Sequence, residues 1–317
     1  MRSANPPGWL TAALHGTTAF TKRFFRGAWG HWEEPWDRAP EVLQVQAGKL
    51  TLEALRWPGT GAPLVLLHGL NNNAWMWARC ASLLPGREIL SLSLRGHGGS
   101  DSPEDGGYDL EATAADVVAA LDALGVPRVD LGGHSWGGRV ALQVASTASA
   151  RVRRLILADP VLPRGLNPVL AQNPGLVDAA FAPERGTFSS HRELAASARR
   201  LVYLRRGLPS DRRIWEANYK EDKDGRLRHR LPEEGYRQIA RRVLTRDVSW
   251  TLDRVACPVL LLRPTFTIGF IPGELRDLRR RLDLTVRRIS GDHCFIHSNP
   301  VDTAKAIQAC FQARAEG

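Results

Sequence analysis

Between a short apolar run at Val129 to Gly132 and a helix-patterned stretch at Trp136 to Ser146, the chain reads Gly133-His134-Ser135-Trp136-Gly137. The run predicts a buried strand and the stretch predicts a helix, so Ser135 falls in a strand-to-helix turn. A turn this sharp brings neighbouring Cβ atoms into collision, which accounts for a glycine on each side of the turn. Ser135 is thereby held above the edge of a sheet at a helix N-terminus, whose dipole favours developing negative charge. That setting requires a fold with parallel strands followed by helices.

The rest of the chain has the matching rhythm. Val42 to Gln46 and Leu50 to Arg56 alternate apolar and polar residues around Gly48, which predicts an antiparallel hairpin. Strands are then expected at Leu64 to Leu67, Glu88 to Leu92, Leu155 to Ala158, Val259 to Leu262 and Leu284 to Ile289. Helices are expected at residues 74 to 84, Leu110 to Leu124 and Val301 to Ala313. Alternation of this kind predicts βαβ units and a mostly parallel sheet, an α/β fold. The rhythm stops after Pro160. Residues 161 to 246 are Arg-rich, strand-poor and punctuated by prolines, and are read as a helical cap inserted into a core formed by residues 41 to 160 and 247 to 317. Residues 1 to 40 form a basic, aromatic extension containing Trp9, Phe20, Phe24, Phe25, Trp29, Trp32 and Trp36. It is expected to pack on the body of the domain or over the pocket mouth, the other reading being a helix for a membrane surface or a partner.

Three further segments stand in order around the serine motif. Leu64-Val65-Leu66-Leu67-His68-Gly69-Leu70 is a strand ending in His-Gly; Ser93-Leu94-Arg95-Gly96-His97-Gly98-Gly99-Ser100 follows the next strand; and Gly291-Asp292-His293 precedes Asn299-Pro300. With these four motifs the chain resembles the α/β-hydrolase superfamily from about residue 42 to the C-terminus, although Ser93 stands where the usual Asp of D-x-R-G-x-G-x-S is found. The resemblance implies a Ser-acid-His triad. His293 would take the Ser135 proton and return it to the leaving group, and the backbone N–H groups of Leu70 and Trp136 would meet the oxyanion. His68 is read as a structural brace of its loop and His97 as a neighbour of the site with no proton to move.

The acid is where the chain departs from the family pattern. The position after Val259 to Leu262 that usually holds it is Thr267, with Pro264 in place of a glycine. A neutral threonine cannot stabilise an imidazolium as a carboxylate does. Asp159, at the end of the preceding strand, preserves the order Ser, Asp, His and is the expected acid. Glu274 and Asp277 are the alternatives, and Asp292 is excluded because adjacent side chains diverge.

A serine nucleophile rules out dehalogenation and epoxide opening, since displacement by serine would leave a stable ether. Cleavage of a carboxylic ester or lactone is the expected reaction, with an acyltransferase, an amidase or a C–C hydrolase as alternatives on the same triad. The missing carboxylate at Thr267 keeps a ligand-binding member of the fold in play. Asn71, Phe266, Ile268 and Trp215 are expected to contact a hydrophobic or aromatic small-molecule substrate. No metal or organic cofactor is implied, because the triad supplies base, nucleophile and electrostatic stabilisation.

Composition excludes other classes. With 43% hydrophobic and 24% charged residues in 317, the chain is neither disordered nor fibrous. The net charge of +10 comes with only five lysines, so nearly all its 43 basic residues are arginines. These are spread along the chain without a nucleic-acid-binding motif, so no nucleic-acid partner is expected. Cys80, Cys257, Cys294 and Cys310 show no metal or disulfide spacing, and neither a signal peptide nor a transmembrane stretch is read. A reducing, cytoplasmic setting is expected.

Overall fold

In the computed structural model, residues 38–162, 186–198, 214–267 and 273–312 are described. The aromatic extension before residue 38, most of the residues proposed for the first half of the cap, and Ile268 lie outside them.

The first strands, β1 (Glu41–Ala47) and β2 (Leu50–Trp57), pair antiparallel around a turn at Gly48, whose φ of 62° suits glycine. Then follow β3 (Thr60–Leu67), β4 (Arg87–Leu92), β5 (Val129–His134), β6 (Val152–Ala158), β9 (Val259–Pro264) and β10 (Leu284–Ile289), with β7 (Tyr219–Glu221) and β8 (Leu227–His229) in the segment between β6 and β9. Among the described residues, eight strands form one sheet in the order β1-β2-β4-β3-β5-β6-β9-β10. From β4 to β10 every neighbouring pair is parallel. The apolar runs are continuous because these strands are covered on both faces. Val65, Leu67, Leu155 and Leu157 enter one core, and Leu64, Leu66, Ile156 and Ala158 enter the other.

The first core is closed by helices α2 (Leu110–Ala123) and α3 (Trp136–Thr147). The second is closed by a 3₁₀ turn at Ala74–Trp77, the short helix α1 (Ala78–Ser82) and the C-terminal helix (Pro300–Gln312). Residues 74 to 84, expected as one helix, are therefore split into a 3₁₀ turn and an α turn. Asn73 caps the turn, its side-chain oxygen accepting from the Trp75 N–H at 3.0 Å.

The strand order fixes where a ligand can enter. The chain moves outward from β3 to β4, then crosses back over β3 to β5 and continues to the other edge. The C-terminal ends of β3 and β5 thus lie where the winding direction reverses, and connections leave them in opposite directions. In open parallel sheets that crevice is where ligands bind.

The segment between β6 and β9 is not purely helical. It contains helix α4 (His191–Ala198), a small hairpin of β7 (Tyr219–Glu221) and β8 (Leu227–His229), and helix α5 (Glu233–Thr245). The hairpin adds two three-residue strands that the sequence reading did not name. Its signal is Asp224-Gly225: Gly225 takes φ 73°, and Asp222 accepts from the Asp224 and Arg226 N–H groups.

Two buried arginines fasten this frame. Arg95, just past β4, forms a two-pronged pair with Asp116 of α2 at 2.6 and 2.7 Å and also donates to the carbonyls of Gly107 and Ala112. Arg139 of α3 donates to the carbonyls of Val161, Val243 and Arg246, bridging the two ends of the inserted segment. Burial lowers its pKa to about 10, which leaves it charged at neutral pH. Asp116→Ala leaves the Arg95 charge buried without its partner and is expected to cost about 3 kcal/mol, checked by urea denaturation. A loss below about 0.5 kcal/mol would contradict the view that the pair holds the loop after β4.

Candidate active site

The loops after β3, β5, β6, β9 and β10 all leave the same edge of the sheet, and the residues with chemical interest sit on them. Ser135 follows β5 with φ 51° and ψ −115°, a backbone state that non-glycine residues occupy only under constraint. The constraint is close backbone approach. A Cβ at Gly133 would lie 2.1 Å from the carbonyl oxygen of Gly137, and one at Gly137 would lie 2.4 Å from that of His68. Helix α3 therefore starts directly against the end of β3, bringing the Leu70 turn beside Ser135.

That turn is closed by Asn72 donating its N–H to the Gly69 carbonyl at 3.1 Å, with Asn71 at its third position in the left-handed region, φ 69°. This is the arrangement of a type II turn, in which asparagine is tolerated. His68 supports it as the sequence suggests. Its Nδ1–H donates to the Gly69 carbonyl at 2.8 Å, while its Nε2 accepts from the Leu94 N–H at 2.9 Å. Only the neutral ring can make both bonds, and burial pushes its pKa well below the usual histidine value. His97 packs against it, ring centroids 4.7 Å apart, and donates to the Arg95 carbonyl.

Asp159 is wholly buried just past β6, with φ 39°. Its Oδ2 lies 2.7 Å from His293 Nδ1. Its Oδ1 accepts from the hydroxyl of Thr267, the residue that stands where the acid was sought. Sequence reasoning saw Thr267 only as a missing carboxylate; in the structure it is a donor to the carboxylate on the next strand. The alternative acids stand elsewhere: Glu274 begins helix α6 (Glu274–Arg281), and Asp277 pairs with Arg281 on the same helix. Asp292 accepts from the Cys294 N–H.

His134 was also missed. Its Nε2–H donates to the backbone carbonyl of His293 at 2.8 Å, the two rings 4.6 Å apart, so the residue before the serine fixes the loop that carries the second imidazole. Burial, then the neighbouring His293, push its pKa well below the usual range.

Of the expected substrate contacts, Asn71 is in the turn beside Ser135, and Phe266 is 74% exposed on the loop after β9. Trp215 is buried in an aromatic cluster with Tyr219 and His229. Ile268 lies outside the described residues. Ser93, in place of the usual aspartate, donates to the buried carboxylate of Glu53 at 2.7 Å and accepts from the Ala74 N–H. A carboxylate is thus supplied from β2 instead. Among the described residues no three His, Cys, Asp or Glu side chains are grouped to share a metal ion. The four cysteines are free thiols, and burial pushes Cys80 up to about 12 and Cys257 up to about 11, so neither is a nucleophile at neutral pH. None of the described helices is long and apolar enough to cross a membrane.

A family profile described as alpha/beta hydrolase fold matches residues 62–297. The chain belongs to that family. Over 129 residues it is 32% identical to the 2-hydroxymuconate semialdehyde hydrolase of Pseudomonas sp. strain CF600, covering 38% of this chain and 46% of that one. Over 120 residues it is 36% identical to an esterase of Mycobacterium tuberculosis, covering 38% and 39%. The matched stretch thus spans less than half the length of these curated relatives. The solved structure of E-2-(acetamidomethylene)succinate hydrolase superposes with a TM-score of 0.73 at 26% identity, covering 85% of this chain and 98% of the other. These relatives are hydrolases.

The buried imidazoles of His68 and His134 give a pH prediction. In the unfolded chain each titrates near 6.5, whereas folded it stays neutral far below that, so below about pH 6.5 the unfolded state binds more protons. Stability is expected to be intact above that value and to fall with acidification, by up to about 1.4 kcal/mol per pH unit for each histidine. Urea midpoints compared at about pH 7.5 and about pH 5.5 check this, and equal midpoints would refute it.

Proposed function

We propose that this chain is a serine hydrolase that cleaves a carboxylic ester or lactone through an acyl-enzyme. The observation that carries the reading is the 2.7 Å contact of His293 Nδ1 with the buried Asp159, on loops flanking a serine held at φ 51°. In this reading Ser135 Oγ attacks the acyl carbon as its proton passes to His293 Nε2. Asp159 holds the ring in the tautomer with hydrogen on Nδ1 and balances the imidazolium charge. The carbonyl oxygen takes up the negative charge between the Leu70 and Trp136 N–H groups, the latter at the first turn of a helix where amides lack intrahelical acceptors. Collapse expels the alkoxide, which takes the proton from His293. Water then repeats the sequence on the acyl-enzyme, releasing the acid and restoring Ser135.

Thr267 supports the acid in this scheme by occupying the second oxygen of Asp159. Residues 161–246 would act as the cap, and the described part at 214–218 meets the turn at 69–73. The named activities of the relatives widen the bond that such a triad can break, to C–C and amide bonds next to a carbonyl, so these stand as the second reading.

Intact-mass spectrometry after exposure to a fluorophosphonate tests the scheme. Labelling is expected at Ser135 in the wild type and absent in Ser135→Ala. Asp159→Asn is expected to slow ester turnover roughly ten-thousand-fold, because the amide favours the wrong histidine tautomer. Wild-type turnover by Ser135→Ala would remove the proposal. Thr267→Val, which strips one donor from a buried carboxylate, is expected to lower turnover roughly ten-fold.

A further inference from the structure

The turn that carries the Leu70 N–H is held by a residue of the inserted segment. Leu70 N–H and the Gly69 carbonyl belong to one peptide plane and point in opposite directions, so whatever fixes the carbonyl fixes the N–H. The carbonyl is fixed by His68 and by the Asn72 N–H. The turn that the Asn72 bond closes has Asn71 left-handed, a state that an L-residue keeps only where its surroundings hold it.

Asn218 is bonded to Asn71. Its Nδ2 donates to the Asn71 carbonyl at 2.6 Å, and its Oδ1 accepts from Asn73 Nδ2 at 2.8 Å. Asn73 Nδ2 also donates to the Ile214 carbonyl at 2.9 Å, and its Oδ1 is the cap of the following 3₁₀ turn. The Asn218 backbone is anchored in its own segment, its N–H donating to Trp215 O and its carbonyl accepting from the Arg230 N–H. Asn73 is fully buried and Asn218 is 1% exposed. A buried amide with both ends of its side chain and both backbone groups engaged has one orientation available to it. The segment at 214–218 and the turn at 69–73 are therefore joined by three side-chain hydrogen bonds.

We propose that Asn218 is a positioning residue for the oxyanion donor: by holding the Asn71 carbonyl it keeps Asn71 left-handed and aims the Leu70 N–H at the reacting carbonyl oxygen. This rests on the reading of Leu70 as an oxyanion donor, and it deepens that reading by making the donor's geometry depend on the inserted segment. When residues 214–218 sit against the turn, the donor is in place. Without the Asn218 donor the Asn71 carbonyl loses this bond and the turn that carries the Leu70 N–H loses a brace.

The test uses the full chain with Asn218→Ala and Asn218→Asp, assayed on p-nitrophenyl butyrate and with phenylboronic acid, whose tetrahedral serine adduct imitates the intermediate. Asn218→Asp has the same shape, keeps the acceptor toward Asn73 and removes the donor toward Asn71, so it decides the matter if the alanine variant does not fold. In folded variants kcat is expected to fall roughly ten- to hundred-fold with KM changed less than about two-fold. The boronate Ki should rise by the factor by which kcat/KM falls. Unchanged kcat, a rise in KM alone, or a fall in kcat with unchanged boronate Ki would each overturn the proposal. Failure of the underlying reading looks different: the wild type itself then neither turns over the ester nor takes a fluorophosphonate on Ser135.

Discussion

The first turn of helix α3 touches the end of β3 so closely that residue 137 has no room for a side chain, and every other part of the site is referred to that contact. It puts two backbone segments that are remote in sequence at a separation set by van der Waals radii and not by flexible side chains. The left-handed Ser135, the turn at Gly69 to Asn72 and the N-terminal amides of α3 then share one small volume. Their arrangement survives changes in most side chains around them, and the glycines that permit it are the residues least open to substitution.

The backbone frame was legible in the sequence because its constraints are local. Strands buried on both faces must be continuously apolar, as Leu64 to Leu67 and Val259 to Leu262 are, and an elbow must have glycine where backbones meet. Side-chain alliances across strands were legible only in part. Asp159 could be expected as the acid from the chain's resemblance to family members with the acid after this strand and from the order Ser, Asp, His. The hydroxyl of Thr267 reaching it from the loop after β9, however, depends on the β6 to β9 register, which no local pattern encodes. His134 holding the His293 carbonyl is of the same kind. So is Glu53, whose carboxylate from β2 meets Ser93 where the family usually has an aspartate. In both places the partner in the contact comes from a neighbouring strand or the loop that follows it. The inserted segment was read least well. Its prolines and arginines carry little periodicity, and its hairpin has strands of three residues announced only by Asp-Gly.

The many arginines also look different once placed. Their even spread along the chain suggested nothing beyond composition, yet Arg95 and Arg139 are interior girders. Each uses the fixed fan of guanidinium donors to reach several carbonyls or both oxygens of a carboxylate, which the single ammonium of lysine could not do. Among the described residues the interior nevertheless takes up more acids than arginines, since Glu53, Asp116, Asp130, Asp159, Glu216 and Glu274 are buried, as against Arg95 and Arg139. These two girders therefore do not diminish the positive excess of the surface.

Arg139 joins the carbonyl of Val161 to those of Val243 and Arg246, and so shuts a long excursion of chain with a non-covalent clasp. Closing a long loop costs only slightly more as the loop grows, by about 0.6 kcal/mol for each doubling in length. With its ends pinned to the helix behind the serine, the excursion can gain or lose residues without pulling on the elbow. The segment that touches the crevice is thereby free to diversify, on an anvil that does not move.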